Sequence, residues 1–108
     1  SAIRSGFLND RSKQIRESME YVVKSENLIE TTINVKISDI NDDKSQSKII
    51  RIALLTPKLG KGIMNFEEIK ESEFVWVSKN KKLNDANELI EVVYTDENLN
   101  PWQLVKKK

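Results

Sequence analysis

Residues 28–38 read LIETTINVKIS, and the alternation within them decides the fold class. Ile29, Thr31, Ile33, Val35 and Ile37 fall on one side; Glu30, Thr32, Asn34, Lys36 and Ser38 fall on the other. Side chains along a strand point alternately to opposite faces, so this spacing predicts one long strand with one face in a core and one in water. One-sided strands belong to antiparallel sheets, whereas the strands of a βαβ unit are apolar on both faces.

Upstream, Leu8, Ile15, Met19 and Val22 repeat at helical spacing. They predict an amphipathic helix about four turns long, capped by Asn9 or Asp10, with residues 1–6 as a flexible end. Downstream, Asp39–Ser47 (DINDDKSQS) is polar and turn-favouring and reads as a hairpin loop. Lys48–Thr56 (KIIRIALLT) is nearly all apolar and reads as a strand covered on both faces, in the middle of a sheet and ended by Pro57.

Residues 58–72 admit either a helical turn around Phe66 and Ile69 or a strand from Ile63. Phe74–Ser78 (FVWVS) and Glu88–Thr95 (ELIEVVYT) read as strands, Ser78–Asn87 as a polar loop between them, and Trp102–Val105 as a last short strand. One helix and four or five strands make an α+β domain spanning 1–108, with the N-terminal helix packed on a twisted antiparallel sheet. A small bent barrel plugged by that helix is the alternative. The opening at Ser1, without methionine, suggests a domain excised from a longer chain.

Eighteen basic residues against seventeen acidic ones give a net charge of +1, with 38% apolar and 32% charged residues. That composition suits a soluble globular domain and lacks the strong positive charge of a dedicated nucleic-acid binder. The chain has no cysteine and no histidine, which removes thiol nucleophiles, sulfur-ligated zinc, the commonest general base and the usual transition-metal ligand. Gly60-Lys61-Gly62 matches no phosphate-binding loop, and no apolar run approaches a membrane span. No catalytic residue, cofactor or metal site is therefore expected.

Carboxylates are the remaining acid–base groups, at Asp42-Asp43, at Glu67-Glu68 with Glu71 and Glu73, and at Asp96-Glu97. An enzyme built on them needs two clusters meeting in a cleft with a raised pKa. Their turn-like settings favour solvated turn charges and helix starts, with Glu73 a strand-edge charge.

Two binding readings stand beside this. Ile50, Ile52, Leu54 and Leu55 bring more apolar surface than one helix covers, so they form a candidate interface unless residues 63–72 fold over them. Open sheet edges would also admit a partner strand. In the second reading, Lys58, Lys61, Lys79, Lys81, Lys82, Lys106 and Lys107 converge to hold phosphates, with Trp76 or Trp102 available for stacking. The first reading, a non-catalytic protein–protein interaction or accessory module with a protein partner or self-association, is preferred over the nucleic-acid-binding alternative.

Overall fold

Of the alternating stretch, only Ile33–Lys36 forms a strand, β1. The computed structural model describes residues 2–79 and 89–108. Helix α1 (Ala2–Ser25) begins well before the expected cap at Asn9 or Asp10 and buries Ile15, Ser18, Met19 and Val22. Taken over its whole length, its division into apolar and polar sides is weak. Asn27 takes a left-handed conformation (φ 55°) and the Leu28 N–H bonds the Val23 carbonyl at 2.9 Å, so Leu28 folds back as the helix's C-terminal plug. It is buried there, outside any strand.

The second departure is larger. Lys48–Leu54 lies in helix α2 (Asp43–Leu54), and the expected hairpin loop before it is the helix start. Asp42 is the N-cap: its carboxylate accepts the Ser45 N–H at 2.7 Å, and the Ser45 hydroxyl accepts the Asp42 N–H at 3.3 Å. Ser45, Ile49, Ile52 and Thr56 are buried, and their spacing of four, three and four puts them on one side. Trp102 Nε1 donates to the Ser45 carbonyl at 3.0 Å, and Trp76 Nε1 to the Thr56 hydroxyl at 3.2 Å, tying both ends of the helix to the sheet.

With α2 as a connection, β1 and β2 (Leu59–Ile63) run parallel, and so do β1 and β3 (Phe74–Ser78). β5 (Trp102–Lys107) pairs antiparallel with β3 and with β4 (Ile90–Tyr94), giving the order β2-β1-β3-β5-β4. The fold is α+β with a mixed sheet, not an antiparallel one, and β1-α2-β2 is a βαβ unit. Nor is the sheet closed into a barrel: β2 and β4 are its edges.

The inference from alternation failed at Asn34. It lies on the polar side of β1 yet is buried, because its side chain bridges both neighbouring strands. Asn34 Oδ1 accepts the Lys61 N–H at 3.1 Å, and Nδ2 donates to the Phe74 carbonyl at 3.2 Å. A polar residue here marks a satisfied interior position rather than a wet face.

Two cores result. On one face α1 and α2 pack over Ile33, Val35, Trp76, Trp102 and Leu104. On the other, Phe66 and Ile69 join Ile63, Val75, Val77, Ile90 and Val105. Residues 63–72 thus cover the second sheet face through a 3-10 turn, Phe66–Glu68. The polar loop expected at Ser78–Asn87 falls mostly outside the described residues.

Candidate functional site

Helix α2 also presents an outward side. Rotating 100° per residue, it turns Ile49 and Ile52 inward and leaves Ile50 and Leu54, four residues apart, on the outer side. Ile50 is 53% exposed and Leu54 80%. Of the four expected interface residues, Ile52 is wholly buried and Leu55 is half-buried against the core. The apolar excess read along a strand therefore divides, as helical geometry requires, into a core pair and an outward pair.

Beside this outer side, Lys44, Lys48 and Arg51 line one flank of α2, again at spacings of four and three. The flank borders an open cleft of about 570 Å³ between α2, Gln14 of α1 and the segment Glu97–Pro101. Lys44 and Arg51 are exposed; Lys48 donates to the Asn98 carbonyl at 2.7 Å. Asn98 in turn donates to the Ser18 hydroxyl at 3.0 Å, which anchors the cleft's far wall to α1. Asp43 and Glu97 also border the cleft, so its charge is mixed with a cationic excess.

Among the described residues the expected phosphate ligands do not converge. Register places Phe74 opposite Lys106, and the Ile33 N–H bonds the Lys58 carbonyl, so Lys58 and Lys106 lie toward one end of the sheet. Lys79 follows Ser78 at the other end, about 16 Å away at strand rise. Lys61 is on the β2 edge. Lys107 Nζ donates to the Phe66 and Ile69 carbonyls, both at 2.7 Å, and so holds the covering segment in place. Lys79 adjoins the α2 cleft, where its ammonium reaches Asn100 Oδ1 at 3.1 Å. Lys81 and Lys82 lie outside the described residues. Neither tryptophan is available for stacking: both are fully buried.

Each carboxylate cluster has a member held by structural partners. Asp42 caps α2 and lies below its ordinary pKa because Ser45 donates to it through backbone and hydroxyl. Glu68 accepts the Asn65 and Met64 N–H groups at 2.8 and 2.7 Å, which lower it too. Burial pushes Asp96 up, but hydrogen bonds from Tyr94, Asn98 and Ser18 outweigh that and hold it down. Burial and the neighbouring Asp96 raise the Tyr94 hydroxyl, which donates to that carboxylate at 2.7 Å. A general acid requires the opposite shift from Asp42, Glu68 and Asp96, so all three read as caps kept ionised.

Tyr21 is exposed and lies 6.0 Å from the Tyr94 ring, centroid to centroid. Among the described residues no group of three acidic side chains is placed to hold a metal, and no helix is long and apolar enough to cross a membrane.

No known protein family, curated protein or solved structure matches this chain. The site therefore rests on its own geometry. Lys44 and Arg51 lie in segments whose composition suits a loop and a strand, and with Lys48 they carry the same four–three spacing that marks the buried face of α2.

Proposed function

We propose that this domain is a non-catalytic protein-interaction module, an accessory part of a larger protein or assembly, that presents the outer side of α2. The observation carrying this reading is the exposed pair Ile50 and Leu54 on one regular helix that is capped, docked and rigidly tied to the sheet. Two large apolar side chains held side by side on a fixed scaffold are suited to anchoring a partner. The capping roles of Asp42, Glu68 and Asp96 argue against an acid–base enzyme, and the dispersal of Lys58, Lys61, Lys79 and Lys106 argues against a phosphate-binding patch built from them. The uncovered sheet face that the sequence allowed is not available, since Phe66 and Ile69 occupy it.

The test is affinity capture with the domain as bait, with and without nuclease, alongside an I50S/L54S bait. Discrete proteins that survive nuclease and disappear with the double variant are the expected result. Enrichment that vanishes with nuclease would replace this reading with nucleic-acid binding.

A further inference from the structure

Resting on that interaction reading, we infer that the outer side and basic flank of α2 together accept an acidic peptide segment carrying apolar anchors. Around the helix axis Ile50 and Leu54 are followed by Ser47, then by Arg51 and Lys44 at the cleft. The apolar pair thus lies beside a cationic rail within the eleven residues from Lys44 to Leu54, about 15 Å at helical rise. Neither Lys44 nor Arg51 is ion-paired among the described residues, so both are open to a carboxylate from outside.

Charge complementarity selects an acidic partner, and the adjoining apolar pair selects one with Leu, Ile or aromatic side chains at matching intervals. A nucleic-acid strand fits less well. It would present continuous phosphates to the acidic Asp43 and Glu97 at the cleft and would leave Ile50 and Leu54 without an apolar counterpart. An acidic peptide can place its carboxylates against Lys44 and Arg51 alone.

The experiment pans a displayed random-peptide library against the domain, sequences the selected pool and measures the consensus peptide by fluorescence anisotropy. The expected pool is rich in Asp and Glu interspersed with large apolar residues. Its consensus binds more weakly as salt rises, and K44E/R51E weakens it about tenfold, as does I50S/L54S. K44R/R51K, which keeps both charges, retains binding, and thermal melts confirm that each variant is folded.

A pool without acidic excess, or a consensus peptide indifferent to either double variant, overturns the inference. So does displacement of the peptide by an equal concentration of a single-stranded oligonucleotide acting through Lys44 and Arg51. If nuclease-resistant partners are captured while the pool shows no acidic excess, the interaction reading stands and the acidic-segment inference falls.

Discussion

Asp39 Oδ2 accepts the backbone N–H of Ser78 at 2.9 Å, joining the turn after β1 to the end of β3 inside the protein. Its other oxygen takes Lys36 Nζ at 2.8 Å, and the Asp39 side chain is wholly buried while that of Lys36 is 17% exposed. The asymmetry decides which partner matters more. Lys36 without Asp39 can turn its ammonium toward water; Asp39 without Lys36 is a buried, uncompensated carboxylate. Lys36→Met is expected to cost about 3 kcal/mol in urea unfolding, and Asp39→Asn, which keeps an acceptor for Ser78, about 1 kcal/mol. The reverse order would show that the ion pair is not what holds this junction.

Gly60 of β2 lies against the side chains of Asn34 and Thr32. A Cβ there would overlap Asn34 Oδ1 and come within 2.8 Å of Thr32 Cγ2. Asn34 cannot yield without giving up its bonds to Lys61 and Phe74. Gly60→Ala should therefore destabilise by about 1–3 kcal/mol. Gly62→Ala should cost less, since its Cβ would meet the exposed side chain of Ile37, which is able to shift. Asn34→Ala combined with Gly60→Ala should be less damaging than the sum of the two, as measured by a double-mutant cycle.

Asp42, Glu68 and Asp96 all titrate below their ordinary values of 3.8, 4.5 and 3.8. A carboxylate whose pKa is lower folded than unfolded stabilises the fold in full above its unfolded value. That contribution disappears as pH falls through the folded one. The urea midpoint is expected to stay nearly level from about pH 7 to pH 5 and to drop below about pH 4. Asp96→Asn, whose single side-chain oxygen can still accept the Asn98 N–H while its amide group faces the Tyr94 hydroxyl, should flatten the drop. An unchanged acid limb in that variant would mean that Asp96 is not among the groups driving it.

What the sequence could show depended on how far each signal was local. β3, β4 and β5 were legible because FVWVS, ELIEVVYT and the run from Trp102 are compact, β-branched and aromatic. The inward side of β1 was legible too, since Ile33 and Val35 are both core residues. Strand direction was not, because it follows from what connects the strands, and α2 was hidden by composition. Ile49, Ile50, Ile52, Leu54 and Leu55 satisfy the expectation for a doubly covered strand as readily as that for a helix. The deciding marks were smaller: Asp42 three residues before Ser45, and the interval from Ser45 through Ile49 and Ile52 to Thr56. The candidate site followed the same fate. Ile50 and Leu54 stand out in the sequence as surplus apolar residues, but their grouping with Lys44 and Arg51 exists only on a helix.

That regrouping has a direct consequence for stability. On a strand, Ile50, Ile52 and Leu54 would share one face and respond alike to truncation; on α2 they part. Ile52 is fully buried among Trp76, Trp102 and the residues of α1, so Ile52→Ala leaves a cavity and is expected to cost about 3 kcal/mol. Leu54, 80% exposed, gives up little burial, and Leu54→Ala should change stability by no more than about 0.5 kcal/mol. Ile50→Ala should behave like Leu54→Ala. Chemical denaturation of the three single variants reads the contrast directly. Equal losses at positions 52 and 54 would contradict the helical placement of this segment, and the outward apolar pair would go with it.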